Sequence, residues 1–228
     1  SASVCPGCTQ GCNVNLDTRD DVVVRIRPRP NLELNRHFIC DTGRRDYRWL
    51  NRGDRIEAPL IRLAGKLAAA DWDTALDHVA ALLESQRGPA VLLASGRAGT
   101  ESLGLVKRLL GARAHVAAVK VPLGEEAPLP GVPNLALRRE RVPNLRGAEL
   151  LGYTADWKRA LSALPEAGLI VVLDADLDAD EQAMLERAPG PVIWLGTVPA
   201  DAWRRAHAVL PVTNMAEENG TYVNRDGR

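Results

Sequence analysis

Two hydrophobic periods divide the chain. Val14 and Leu16 alternate with polar residues, as do Val22, Val24 and Ile26, which predicts two short strands with a hairpin turn at polar positions 18–21. Pro28 and Pro30 end the second strand. Past Cys40, Asp41 and Thr42 read as an N-cap for a short helix running through Tyr47 and Leu50 and stopping near Asn51 and Gly53. From about residue 57 helical and strand patterns alternate. Asp71 caps a predicted helix whose Trp72, Ala75, Leu76, Val79, Leu82 and Leu83 recur at helical spacing. Pro89 opens a buried strand over 90–94, and a loop at 95–99, a helix over 100–110 and a strand over 115–119 complete the parts of a right-handed βαβ unit. A helix over 157–164, strands over 169–173 and 192–195 with a helix over 178–187 between them, and a last strand over 208–210 extend the alternation. The predicted fold class is α/β: a small β-rich domain over 1–56, then an α/β domain over 57–228 with a mostly parallel sheet.

Residues 120–152 break the pattern. Pro122, Pro128, Pro130, Pro133 and Pro143 fall in a stretch with little periodicity, longer than compact domains usually leave without clear elements. It reads as an extended segment that wraps the domain or meets a partner. The tail from Pro211 is also unpatterned, and no internal repeat is found.

Composition narrows the class. With 46% hydrophobic and 25% charged residues the chain is globular, and its longest apolar runs, such as 168–173, fall far short of the ~20 residues that cross a bilayer. Twenty-nine basic residues balance 29 acidic ones, so no overall field draws the protein toward nucleic acid or anionic lipid, and neither nucleic-acid binding nor direct membrane insertion is expected. Aromatic residues are few, so the core must be aliphatic. The opening Ser1-Ala2-Ser3-Val4-Cys5 has no signal-peptide pattern, and its start without Met beside a motif points to a longer parent chain. All the cysteines lie in the first forty residues, which fits a reducing compartment and one local purpose for the thiols.

That purpose is metal binding. Cys5, Cys8, Cys12 and Cys40 give C-x2-C-x3-C-x27-C, in which three crowded thiolates can reach three corners of a 4Fe-4S cubane while the distant fourth closes the last, and Gly7 and Gly11 free the backbone to curl. Zinc is the alternative, although structural zinc sites usually pair two short knuckles. A thioredoxin-like reading of Cys5-Pro-Gly-Cys8 lacks the preceding βαβ pattern. His37, three residues before Cys40, is a possible further ligand or a surface residue, and His78, His115 and His207 read as helix-face or strand-end residues. Residues 96–99 lack a phosphate-loop pattern and read as a βα turn. Asp174, Asp176, Asp178, Asp180 and Glu181 read as helix capping more than as a cation site. No catalytic set is visible.

VCPGCTQGC at 4–12, VRIRP at 24–28 and FICDTGR at 38–44 resemble the iron–sulfur domain that opens the molybdopterin oxidoreductase fold. More narrowly, together with NRGDRIEAPLIR at 51–62, NLRGAELLG at 144–152 and AEENGTYVNRDGR at 216–228, they are similar to the large iron–sulfur subunit family of bacterial NADH:quinone oxidoreductase, respiratory complex I. The resemblance implies one 4Fe-4S cluster on the cysteines named above and a shortened molybdopterin-oxidoreductase-like α/β domain. It further implies an electron-transfer or structural role, and partners that include a flavin-binding NADH dehydrogenase subunit. The location implied is the cytoplasmic, peripheral arm of the complex, where the cluster of this domain is regarded as off the main electron path. Catalytic relatives ligate molybdenum or tungsten well downstream, whereas no cysteine follows Cys40 here. Where many of them carry a lysine linking cluster to pterin, this chain has Thr42, with only Arg44 as a nearby cation. A catalytic centre and a molybdopterin are therefore not expected. The other readings are a fragment of a catalytic molybdopterin oxidoreductase, such as a formate dehydrogenase, and a zinc-stabilised interaction module.

Overall fold

A computed structural model of the chain describes residues 1–86 and 88–228. The first sheet is antiparallel, in the order β1 (Ala2–Val4), β2 (Asn13–Arg19), β3 (Val22–Pro28). Asp20 and Asp21, both at positive φ, make the two-residue turn between β2 and β3. The alternation over Val22, Val24 and Ile26 is not the one the structure uses. Val23 and Ile26 are buried while Val22 and Val24 face outward, because the pairing shifts register between Asp17 and Thr18 and the irregularity turns the strand over.

The helix expected to run on to Leu50 is also divided. α1 (Asp41–Arg45) ends where Asp46 leaves the helical region, and a separate 3₁₀ turn covers Arg48–Asn51. Tyr47, between them, reaches sideways to donate its hydroxyl to Val24 O at 2.7 Å, while Leu50 packs with Val23 and Met215.

The larger sheet begins with a hairpin the hydrophobic pattern does not signal, β4 (Leu60–Leu63) and β5 (Lys66–Ala69), joined through Ala64 and Gly65 at positive φ. Then follow α2 (Trp72–Ser85), β6 (Ala90–Ser95), α3 (Thr100–Leu110), β7 (Ala114–Lys120), the short pair β8 (Ala127–Pro128) and β9 (Ala136–Leu137), α4 (Leu145–Leu150) and α5 (Trp157–Ser162). β10 (Leu169–Leu173), α6 (Ala179–Arg187), β11 (Val192–Gly196) and β12 (Ala206–Pro211) complete the chain's regular elements. Strand order is β5-β4-β12-β11-β10-β6-β7, parallel from β12 to β7 and antiparallel at the β4–β5 edge. The fold class is α/β, as expected.

Alternate residues of each central strand feed opposite faces. Val91, Leu93, Ile170 and Val172 pack with Ala160, Leu161 and Leu185 of α5 and α6, while Ala90, Leu92, Leu169 and Val171 pack with Ala75, Val79, Leu103 and Leu110 of α2 and α3. Asp71 caps α2 by accepting from Thr74 N at 2.8 Å, but Trp72 and Leu76 of the predicted apolar face remain about half exposed. The β6–α3 and β10–α6 connections leave neighbouring strands for opposite faces, which makes the carboxyl edge between β6 and β10 a topological switch point.

The proline-rich stretch is not a free strap. It forms β8, β9 and α4, and Leu135 joins Cys5, Cys12, Val14, Ile26 and Ile39 in one apolar cluster of the small sheet. Asn144, fully buried, ties it down: its Nδ2 donates to Ala98 O at 2.8 Å, its Oδ1 accepts from Val223 N at 2.9 Å, and its backbone N–H donates to Gly96 O at 3.2 Å. Asn144→Ala leaves the part-buried Ala98 carbonyl and Val223 amide without their partners, and is expected to cost about 2 kcal/mol. A lowered urea midpoint at unchanged m-value is the readout.

Candidate metal centre

The chain turns sharply between β1 and β2, and that turn carries three of the thiols. Cys5 N donates to Cys12 O at 2.8 Å and Gly11 N to Cys8 O at 3.3 Å, with Gly11 at φ +66°, so the backbone curls back on itself and brings the three cysteines together. The fourth thiol arrives from another element. Cys40, rather than Asp41 or Thr42, is the N-cap of α1, its Sγ accepting from Gly43 N at 3.3 Å. Cys5, Cys8 and Cys12 are buried and Cys40 is half-buried.

The thiols lie near one another. Each lies close enough to the others for its charge to be felt: Cys5 with Cys8 and Cys40, Cys8 with Cys40, and Cys12 with the other three. A methyl group on Gly43 would stand 2.8 Å from Cys5 Sγ and 3.6 Å from Cys40 Sγ, and one on Gly7 would stand 3.6 Å from Cys5 Sγ. Burial pushes the Cys5 thiol up to about 12, and it raises Cys8 and Cys12 as well. Backbone N–H groups act the other way, those of Gly7 on Cys5 and of Arg138 and Gln10 on Cys8, by stabilising the thiolate.

Distant chain closes the site on two sides, and neither contribution was legible in the sequence. Thr9 N donates to Glu140 O at 3.0 Å, Thr9 Oγ1 to Glu140 Oε2 at 3.1 Å, and Arg138 Nε to Gln10 Oε1 at 2.7 Å. From the tail, Arg225 N donates to Thr9 O at 3.0 Å and Asn224 Nδ2 to Gln10 O at 3.3 Å, and Asn224 packs so tightly on Gly11 that a Cβ there would lie 2.7 Å from it.

The donor set fits a cluster. Among the described residues no three His, Cys, Asp or Glu side chains close on one point as the ligands of a single ion do. Three thiols on one sharp turn and a fourth from another element, in C-x2-C-x3-C-x27-C spacing, suit a cubane, which has a separate iron for each sulfur.

Other sequence candidates fall elsewhere. His37 is exposed. His207 Nδ1 accepts from Val192 N at 3.2 Å within the sheet. Residues 96–99 form a turn packed against Val142 and Asn144. Asp178 and Glu181 make a reciprocal capping box at the start of α6, and Asp174 Oδ1 accepts from Thr197 N and Oγ1, both at 2.9 Å. At the switch point lies a cavity of about 410 Å³, bordered by Arg97, Asp174 and Glu218 and shared with Trp49 and Met215 of the chain's own loops.

A β-hairpin unit carrying the thiols precedes a doubly wound α/β sheet, and both parts resemble known domains. Residues 1–52 match the molybdopterin oxidoreductase Fe4S4 domain and residues 55–118 the molybdopterin oxidoreductase family, so the chain carries both domain types of that superfamily. It is homologous to the G subunit of NADH-quinone oxidoreductase: 34% identical over 145 residues to that of Pseudomonas fluorescens, covering 59% of this chain and 15% of the relative, and 38% identical over 102 residues to that of Streptomyces coelicolor, covering 44% and 12%. It is also 34% identical over 83 residues, 36% of this chain and 12% of the relative, to the alpha subunit of F420-dependent formate dehydrogenase 1 of Methanococcus maripaludis. The aligned stretches thus span about an eighth to a seventh of these relatives' length.

Gly43→Ala places a methyl group between two of the thiols. We expect it to lower iron and sulfide content per chain at least severalfold while leaving the far-ultraviolet circular dichroism of the α/β sheet unchanged.

Proposed function

We propose that Cys5, Cys8, Cys12 and Cys40 hold one 4Fe-4S cluster. We further propose that the chain is an iron–sulfur part of the peripheral arm of NADH:quinone oxidoreductase, without molybdopterin and without a catalytic centre of its own. The observation that carries this reading is the gathering of the four thiols, three of them buried, beneath residues 138–141 and 224–225. The homologous subunits, which share the Fe4S4 domain, support an electron-transfer subunit of a multi-subunit complex.

A bound cluster would take up and return one electron at a time. The chain's part is to exclude water from three of the thiols and to donate N–H groups from residues 7, 10, 43 and 138 toward sulfur. The division of labour follows the sheets, with a cluster domain over about 1–56 and an α/β domain over 57–228. Among the described residues no helix is long and apolar enough to cross a membrane. The homologous subunits support attachment through partner subunits, a flavin-binding NADH dehydrogenase subunit among them, on the cytoplasmic side. Thr42 and Arg44 both lie exposed on α1, so neither reaches inward as a bridge to a second centre, and we assign the cluster a role mainly in stability and assembly.

Purified anaerobically, the chain should contain about four iron and four sulfide. One zinc per chain with little iron would overturn the reading in favour of a zinc-stabilised interaction module. The match to the formate dehydrogenase subunit favours the remaining reading, a piece of a catalytic molybdopterin oxidoreductase, and stoichiometric molybdenum or pterin in the isolated chain would select it. In the assembled complex, Cys40→Ala should reduce the yield of complex more than turnover per assembled complex. Normal assembly with nearly all NADH-to-quinone turnover lost would place the cluster on the electron path.

A further inference from the structure

The segment that roofs the centre brings a charge with it. Arg141 follows Glu140, whose carbonyl binds Thr9 N, and lies three residues beyond Arg138, whose backbone N–H serves Cys8. Its guanidinium is held in place: Arg141 N donates to Pro122 O at 2.9 Å, Nη2 donates to Glu125 O at 2.6 Å, and a Cβ added to Gly124 would stand 2.6 Å from both Nε and Nη2. The group fills space that only a glycine at 124 leaves open. Yet Nη1 is buried without a hydrogen-bond partner, and among the described residues no carboxylate stands within ion-pair distance of Arg141.

A buried, unpaired guanidinium N–H is costly, and native proteins keep such groups where something negative completes them. The neighbouring cations do not compete for this role. Arg138 is paired with Glu126 at 3.1 Å, and Arg44 is exposed on α1. Thr9, which follows Cys8, donates its N–H to Glu140 O at 3.0 Å, and this sets Arg141 one residue from the Cys8 corner.

We infer that Arg141 is a positioning residue of the centre, a fixed cation at the Cys8 corner that favours the reduced, more negative state of a cluster held there. The inference rests on the cluster reading above. Four thiolates on a 4Fe-4S core carry net negative charge that deepens by one on reduction, so a nearby fixed cation raises the reduction potential. The proline-rich stretch thereby has an electrostatic function in addition to covering the site, since Pro122, Gly124 and Glu125 anchor the guanidinium.

The test is a potentiometric titration of the full chain, loaded and purified anaerobically and followed by electron paramagnetic resonance. In Arg141→Gln the ratio of reduced to oxidised cluster at a given potential should fall about tenfold, equivalent to about 59 mV for a one-electron couple. Arg141→Lys should fall by less, and Gly124→Ala, whose methyl displaces the guanidinium without removing its charge, should shift in the same direction. Arg44→Gln should stay at the wild-type midpoint. Arg141→Gln with full iron and sulfide content and the wild-type midpoint would overturn the inference, as would an equal shift in Arg44→Gln. If Arg141→Gln takes up no cluster, unchanged midpoints in both Arg141→Lys and Gly124→Ala overturn it instead. A wild-type chain lacking the cubane signal defeats the cluster reading itself, a result distinct from a loaded chain whose midpoint ignores Arg141.

Discussion

The turn over residues 8–11 is gripped from both sides by chain more than a hundred residues away, and the metal centre depends on that grip. Thr9 donates its N–H to Glu140 and accepts at its carbonyl from Arg225 N, while Gln10 accepts at its side-chain oxygen from Arg138 and at its backbone oxygen from Asn224. The small sheet could not hold this turn by itself. Its apolar cluster is little more than Val14, Leu16, Ile26 and Ile39, and it borrows Leu135 from the proline-rich stretch. A hydrogen bond nets only about 1 kcal/mol, and ordering each residue of a loop costs about as much or more, so such clamps hold only if something larger fixes the far ends.

The parallel sheet is that larger body, and its directionality delivers the clamps. Strands that run parallel present all their carboxyl ends on one edge. β7 ends there at Lys120 and leads into the proline-rich stretch; β12 ends there at Pro211 and leads into the tail. Both therefore reach the small sheet from the same side. Asn144 fastens them to each other and to the turn after β6, and Arg55 fastens the tail to the entry of the α/β region through paired bonds of 2.9 Å to Glu217. The switch-point edge, where doubly wound sheets commonly bind ligands, is here partly taken up by the chain's own Trp49, Met215 and Glu218.

Much of the architecture could be read from periodicity because the central elements obey it. Residues 100–110 and 169–173 form the helix and strand their patterns predict, since both are bounded by strong local signals and buried on predictable faces. The β4–β5 hairpin escaped because its turn is Ala64-Gly65 and not the Asn-Gly or Asp-Gly that marks a two-residue turn, with Ala64 held at φ +47° by the pairing around it. The face of β3 was misread because an irregularity in pairing leaves no trace in a period-two count. In the site, the cysteine spacing was legible, being local chemistry. The roof was not, because Arg138, Glu140, Arg141, Asn224 and Arg225 matter through where the sheet sends them, and nothing in their own neighbourhood marks them.

This division between local thiols and distant walls couples metal ligation to closure of the site. Burial favours the protonated thiol at Cys5, Cys8 and Cys12, and the N–H donors of Gly7, Gln10 and Arg138 offset that only in part. Metal ligation must then expel protons from a pocket that resists thiolate formation, and the free energy of ligation becomes free energy of closing the pocket. Two of the groups that favour thiolate, the N–H of Arg138 and the neighbouring cation Arg141, are held by the chain beyond β7, which pairs with β6 and turns back where Arg141 N donates to Pro122 O. In an unfolded chain Cys5, Cys8 and Cys12 remain near one another, but Cys40 must be brought to them across a longer loop and nothing covers the result. The three-cysteine turn is thus the seed of the centre, and the α/β sheet, though it contributes no ligand, decides whether that seed becomes a closed site.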